Sequence, residues 1–277
     1  MVFRQGKKHL ELYEIILNNA FDFNLIHSGI DMGFEKAALS GKRVLVTGAG
    51  RGIGRCIAET CAGLGAEVIA VDLSADDLAS LENDSAGKID GWVGDVTSPE
   101  LAGRIRKLDR LDGLVNNAGT NRVGPMVDQG PENIDIMLNL NIRAVYCMAQ
   151  AAITPMKRAG GGSIVNMSSQ MGHVGSPGRT LYCMTKHAVE GLSKAMAVEL
   201  ALEGIRVNTV APTFVLTPMT EPMFADKKVS DFVLGMIPMK KLALPEEVAN
   251  ACVFLLSELS GSTTGASLKV DGGWTAV

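Results

Sequence analysis

The stretch Val44-Leu45-Val46-Thr47-Gly48-Ala49-Gly50-Arg51-Gly52-Ile53-Gly54 decides the fold. Three consecutive apolar side chains run into a turn carrying four glycines, and helical periodicity begins at Ile53. A short strand without polar alternation is buried on both faces, as in a parallel sheet flanked by helices. Gly48 permits the tight turn that leaves the strand, while Gly52 and Gly54 let an anion approach the backbone where the helix starts. The free N–H groups and the dipole at that end favour phosphate. The spacing is G-x-x-x-G-x-G rather than the commoner G-x-G-x-x-G; its place between a strand and a helix separates it from an ordinary turn.

Working outward, short apolar runs recur at 43–46, 67–71, 91–93, 113–115, 163–167, 206–210 and 268–270. Helical periodicities lie between them, as at 53–64, 138–157, 185–202 and 245–256. The alternation predicts an α/β fold, a single doubly wound parallel sheet with helices on both faces and right-handed crossovers. After Gly41 there is no repeat, low-complexity tract or linker, so 40–277 reads as one domain. Residues 1–39 read as an N-terminal extension. Its apolar run from Leu10 to Leu17, continued by Phe21, Phe23, Leu25 and Ile26, is broken by Glu11, Glu14, Asn18, Asn19 and Asp22. Such a run is too polar to span a bilayer, lacks the core of a secretory signal and is too acidic for a mitochondrial presequence. It reads as a loosely attached helix, or as sequence upstream of a start at Met32; packing on a neighbouring subunit is the alternative.

Composition limits the partners. The chain has 277 residues, 47% hydrophobic and 20% charged, with a formal net charge of −4. Those are the proportions of a water-soluble globular protein, and the charge gives no attraction to nucleic acid or an anionic membrane. Cys56, Cys61, Cys147, Cys183 and Cys252 form no C-x-x-C pair and read as small core residues of a reducing, cytoplasmic compartment. The histidines are scattered without ligand spacing, so no metal site is expected.

Tyr182 and Lys186 stand four residues apart, which on a helix puts phenol and ammonium on one face. A nearby cation favours the phenolate, and moving a tyrosine from its usual pKa of about 10 towards neutrality takes roughly 4 kcal/mol. A tyrosine so shifted can exchange a proton with an alcohol or a carbonyl.

Taken with the glycine loop, Asn116-Asn117-Ala118-Gly119 after Leu114-Val115, Asn141 in a helical stretch, and Ser168-Ser169 after 163–167, the pair makes the chain resemble the short-chain dehydrogenase/reductase family over about residues 40–277. The resemblance implies a Rossmann-type fold and a nicotinamide cofactor. It assigns Tyr182 as general acid/base, Lys186 as the residue that lowers its pKa and holds the nicotinamide ribose, and Ser169, rather than Ser168, as the hydrogen-bond partner of the reacting oxygen. Asn141 matches an asparagine that holds a water in a proton relay. Gly48, Arg51, Gly52, Ile53, Gly54, Asp95, Val96, Asn117, Gly119 and Thr217 match cofactor-binding positions, with Asn116 supporting the sheet. One departure is Pro212-Thr213, where the family usually has Pro-Gly.

Asp72 ends the second run, eighteen residues after Gly54, where a carboxylate accepts hydrogen bonds from ribose hydroxyls and repels a 2′-phosphate. It favours NAD; Arg51, a basic residue in the loop, pulls towards NADP. The segment 214–240, with Met219, Met223, Phe224, Phe232, Leu234, Met236 and Ile237, resembles a mobile substrate lid. Asn121, Arg122, Gln170, His173 and Arg179 are the polar substrate candidates. The leading expectation is NAD-dependent hydride transfer to or from a secondary alcohol of a sugar, polyol or hydroxy acid. An NADP-dependent 3-oxoacyl thioester reductase and a non-enzymatic dinucleotide-sensing scaffold are the alternatives. Apolar residues around most of the helices at 138–157 and 185–202 (Val145, Met148, Ile153, Val189, Leu192, Met196, Leu200), with the C-terminal Trp274, predict a homotetramer.

Overall fold

Seven parallel strands form one sheet in the order β3-β2-β1-β4-β5-β6-β7. They are β1 Arg43–Thr47, β2 Glu67–Asp72, β3 Ile89–Val93, β4 Gly113–Asn116, β5 Gly162–Met167, β6 Ile205–Pro212 and β7 Ser267–Val270. The computed structural model describes residues 38–85, 87–217 and 220–277 and omits the side chains of Pro222 and Met223. The expectations for residues 1–37, Met219 and the Met223 side chain lie outside what is described. The described residues belong to one compact unit; Leu39 is already fully buried and donates its N–H to the Leu64 carbonyl.

The helices are α1 Gly52–Gly63, α2 Ala75–Asp84, α3 Pro99–Arg106, α4 Pro131–Leu138, α5 Val145–Ala159, α6 Thr180–Leu200, α7 Glu221–Phe224, α8 Lys227–Met236 and α9 Pro245–Leu256. Alternate residues of each strand face opposite layers. Leu45, Ile69, Leu114, Ile164 and Val207 belong to one core with α3, α5 and α6 residues Ile105, Met148, Met156 and Leu200. Their neighbours Val44 and Val46 point the other way, where α1 and α9 pack together and bury Ile57, Cys61, Val248 and Cys252. The doubly wound sheet expected from the sequence is the fold observed. Strand order reverses between β1 and β4, and the crevice outside their carboxyl ends is where such sheets take ligands.

Three expectations are corrected. The run 138–157 is part of a longer helical stretch in which α4 and α5 are joined by a π-helical turn, Asn139–Ala144. Although Pro131–Ala159 is long and apolar enough to cross a membrane, it packs along β4 and β5 as a core helix. Second, Val145, Met148, Val189 and Leu200 are buried in this chain's own core. The exposed apolar residues of α5 and α6 are instead Tyr146, Met184 and Val198. Third, Trp274 needs no neighbouring chain: it is buried against Val233 and Ile237, with Phe214, Phe224 and Leu242 around it.

Candidate active site

The cofactor end is fixed by backbone. Gly48 and Gly52 adopt φ of +64° and +57°, the left-handed region that a side chain resists. A Cβ on Gly54 would lie 2.0 Å from the Gly48 carbonyl oxygen, so helix and turn touch with no atom to spare. Asn117 locks the turn from the next strand: its Nδ2 donates to the carbonyls of Thr47 at 2.9 Å and Gly48 at 3.0 Å. The Thr47 hydroxyl in turn accepts the N–H groups of Asn117 and Ala118. Asn117 therefore shapes the loop from behind. On the open side the loop fits a pyrophosphate. No side chain caps the start of α1, so its first N–H groups are available to an anion. A Cβ on Gly52 would meet nothing within 4 Å, which leaves room there.

At the end of β2, Asp72 accepts the Gly50 N–H at 2.9 Å through one oxygen and the Ser74 N–H at 3.1 Å through the other. Asp76 and Asp77 follow in the first turn of α2. Arg51 is exposed and its side chain has no partner among the described residues, while nearby Arg55 is committed to Glu59 and Asp84. Asp95 is exposed and caps its own turn through Thr97, and Val96 is buried in the core. Thr217 bonds to Thr220 within its own turn.

The reactive groups converge at the ends of β5 and β6. The helix carrying Tyr182 begins at Thr180, before the predicted start at 185, so the tyrosine and Lys186 share one face of α6. Lys186 is buried, and its Nζ donates to the Met167 carbonyl at 2.7 Å. Burial pulls its pKa down to about 8, partly opposed by the Glu190 carboxylate one turn further on. Burial raises the pKa of the Tyr182 phenol above the usual 10, opposed by the neighbouring Ser169 hydroxyl and the Arg179 charge. The Lys186 Nζ lies 5.6 Å from the ring centroid and is turned to the Met167 carbonyl.

Ser169 is buried and caps the following 3₁₀ turn, Gln170–Gly172, by accepting the Met171 N–H. Asn141 lies in the π turn, a rare feature often found at functional sites. Its side chain clamps Thr120 through both backbone groups at 2.8 Å and donates to Thr185 at 3.2 Å. Gly119 passes between: a Cβ there would lie 3.3 Å from Asn141 Oδ1 and 3.9 Å from Lys186 Nζ. Asn116 bonds to Asn166 at 2.8 Å and so joins β4 to β5.

Several buried polar atoms after β4, β5 and β6 have no partner among the described residues: Asn121 Oδ1, Ser168 Oγ, Thr213 Oγ1 and both amide atoms of Gln170. Leaving such an atom unbonded costs about 1–3 kcal/mol, so each calls for a partner from outside the chain, water or ligand. His173 is not among them. Its Nε2 lies 3.2 Å from the Glu190 carboxylate and 3.0 Å from the Ser267 hydroxyl, which ties the loop after Ser169 to α6 and β7. Arg122 is exposed.

Four contributors escaped the sequence reading: Thr47, the Met167 carbonyl, Thr185 and Glu190. Only Glu190 left a signal, a carboxylate four residues after Lys186 on the buried face of a long helix.

The family described as enoyl-(acyl carrier protein) reductase matches residues 48–275. The chain is 40% identical over 243 residues to the 3-oxoacyl-[acyl-carrier-protein] reductase of Thermotoga maritima, covering 85% of this chain and 98% of that one. It is 39% identical over 243 residues to the L-xylulose reductase of Bos taurus, covering 86% and 98%. The crystal structure of a gluconate 5-dehydrogenase from Burkholderia cenocepacia J2315, in complex with NADP and tartrate, superposes with a TM-score of 0.81 at 30% identity, covering 88% of this chain and 99% of that one. With this fold and this cleft, the chain belongs to the short-chain dehydrogenase/reductase family. It is an oxidoreductase acting on CH–OH groups with a nicotinamide cofactor.

Proposed function

We propose that the protein transfers a hydride between NAD and a secondary alcohol or ketone of a small, polar, polyhydroxylated substrate. The observation that carries the reading is the cluster at the start of α6 and just beyond β5, in which the Tyr182 phenol, the neighbouring Ser169 hydroxyl and the buried Lys186 ammonium meet at the carboxyl end of the sheet. Bound nicotinamide supplies the hydride acceptor for oxidation and the donor for reduction. Tyr182 exchanges the proton of the reacting oxygen, Ser169 holds that oxygen, and Lys186 binds the nicotinamide ribose with its remaining donors. The clamp of Asn141 on Thr120 holds the segment after β4 against Lys186. Gly48, Gly52, Ile53 and Gly54 would hold the pyrophosphate, Asp72 the adenosine ribose, and Asp95, Val96, Gly119 and Thr217 the rest of the dinucleotide.

NAD is favoured by the sum of charge at the ribose corner. Asp72, Asp76 and Asp77 face a single uncommitted arginine, Arg51, and like charges at contact range repel a 2′-phosphate. The unpartnered Gln170 amide beside Ser169 supports a substrate rich in hydroxyls. A second reading, NADP-dependent reduction of 3-oxoacyl thioesters, draws on the likeness to the Thermotoga enzyme. The five free thiols fit a cytoplasmic protein, residues 40–277 would be its catalytic domain, and the exposed Tyr146, Met184 and Val198 would pair it into a tetramer. A panel of sugars, polyols, hydroxy acids and 3-oxoacyl thioesters with both cofactors tests the assignment. Turnover of polyhydroxylated substrates with NAD is expected; preference for acyl thioesters with NADPH would replace the reading by its rival.

A further inference from the structure

Arg179 lies three residues before Tyr182, at the start of α6. Its guanidinium centre sits 5.5 Å over the Phe214 ring, and the residue is half-buried. Arg43, Arg55 and Arg110 bond to carboxylates, Arg158 and Arg206 to backbone carbonyls, and Arg104 stacks on Trp92; Arg51, Arg106 and Arg122, which make no such contact among the described residues, are exposed, whereas Arg179 is not. Among the described residues the Arg179 side chain has no carboxylate and no hydrogen-bond acceptor. A guanidinium is a rigid fork of five donors that matches a carboxylate in two parallel bonds, and drawing it off water onto an aromatic face leaves those donors to be used.

Its surroundings say where they are used. Phe214 meets Phe224 edge-on at 6.1 Å and lies 5.9 Å from Trp274, so it belongs to the aromatic floor under the lid. It follows Thr213, whose buried hydroxyl has no partner, and Pro212, whose carbonyl accepts the Ser169 hydroxyl at 3.4 Å. The guanidinium is thus held on Phe214, two residues after the carbonyl that Ser169 bonds and one turn of α6 from Tyr182, on whose phenol its charge acts. On the same side, the Gln170 amide has neither a donor nor an acceptor partner.

We propose that Arg179 is the carboxylate anchor of the substrate subsite, and that the alcohol turned over belongs to a small hydroxy-acid anion rather than to a neutral polyol or an acyl thioester. This rests on the oxidoreductase reading above and narrows its substrate class. The carboxylate is a spectator: it fixes the chain of the substrate so that one carbinol, and not its neighbours, meets Tyr182. Gln170 and Thr213 then take hydroxyls between the anchored end and the reacting carbon.

The test uses matched pairs that differ only in carboxylate against hydroxymethyl, gluconate with glucitol and threonate with threitol, on the full chain with NAD and with NADP. The wild type is expected to favour the acid of each pair by about 10- to 100-fold in kcat/KM, the worth of a charge-assisted bond. Arg179→Gln should collapse that ratio, and Arg179→Lys should keep part of it. A binding readout runs alongside: tartrate, but not threitol, should raise the melting temperature of the cofactor-loaded wild type, and Arg179→Gln should abolish the rise. A wild-type preference for the neutral alcohols, or an acid-to-polyol ratio unchanged in Arg179→Gln, would overturn the proposal and leave Arg179 as a support of the lid floor. If none of the alcohols is turned over with either cofactor, the substrate reading itself fails, while the tartrate melting series still decides the role of Arg179.

Discussion

The two halves of the cleft are built on opposite plans. Around the glycine loop every polar group that shapes the turn is partnered: Asn117 to two carbonyls, Thr47 to two N–H groups, Asp72 to two more. Steric space is used up as well, with Gly54 pressed against Gly48. Across the sheet, at the ends of β5 and β6, the buried side-chain atoms without partners gather: Gln170, Thr213, Ser168 and, from the loop after β4, Asn121. The half that meets an invariant ligand is finished before the ligand arrives. The half proposed to take the substrate holds side-chain atoms with no partner among the described residues. Specificity obtained in this way follows from the cost of leaving the wrong partner unbonded.

Catalysis is the largest expected difference between the halves. Tyr182→Phe should lower kcat by about 10²–10⁴-fold, the usual contribution of a general acid/base, while fluorescence titration shows NADH binding unchanged. Activity within about tenfold of wild type would remove Tyr182 from the proton transfer.

Gly54→Ala attacks the finished half. Its new Cβ would lie 2.0 Å from a backbone oxygen, so the turn must open. The expected loss is at least ~2 kcal/mol of stability in denaturant melts, together with weaker cofactor binding. Wild-type behaviour in both would mean that the loop is looser than its packing.

Lys186 is costly to the fold for the sake of the site. Its folded pKa of about 8 lies below the 10.5 of a free lysine, so between those values the unfolded chain binds more protons. Stability therefore rises with pH across that window and is lost as pH falls through the folded value. The span corresponds to roughly 3 kcal/mol. Lys186→Met should flatten that rise in chemical melts of the cofactor-free protein, be more stable than wild type below pH 8, and bind cofactor more weakly.

Asp72→Ala should narrow the preference for NAD over NADP by about one to two orders of magnitude, read as the ratio of the two kcat/KM values. A wild type that already prefers NADP would hand the ribose corner to Arg51.

The finished half was the legible one. Its strand, glycine spacing and terminal carboxylate are local, and a strand–turn–helix reads directly from a dozen residues. The seven strands were legible for the same reason, since burial on both faces leaves unbroken apolar runs. What was not legible depends on distance in space. No pattern at 138–157 announces that the helix widens at Asn139–Ala144, because a π turn is one extra residue in an otherwise regular apolar face. The apolar faces of α5 and α6 looked unpartnered because nothing local shows how much of each helix the sheet and its neighbours cover. Trp274 reads as stranded until residues 214–242 are seen to pack around it. The spacing of Tyr182 and Lys186 was read correctly as one face; how far a lysine lowers a phenol depends on where the ammonium points and how dry both groups are, which spacing does not show. His173, polar and close to Ser169 in sequence, is turned to Glu190.

The contrast between the halves is tested most directly at Gln170, 1% exposed with both ends of its amide unbonded. Gln170→Met keeps the shape and removes the polar atoms. In the cofactor-free protein it should raise stability by about 1–2 kcal/mol, because the penalty of an unsatisfied buried amide disappears. With substrate the same change should raise KM about tenfold or more, because the hydrogen bonds that penalty was reserved for are gone. Lower stability with an unchanged KM would contradict the account: Gln170 would then be part of the scaffold, and the substrate half as finished as its counterpart.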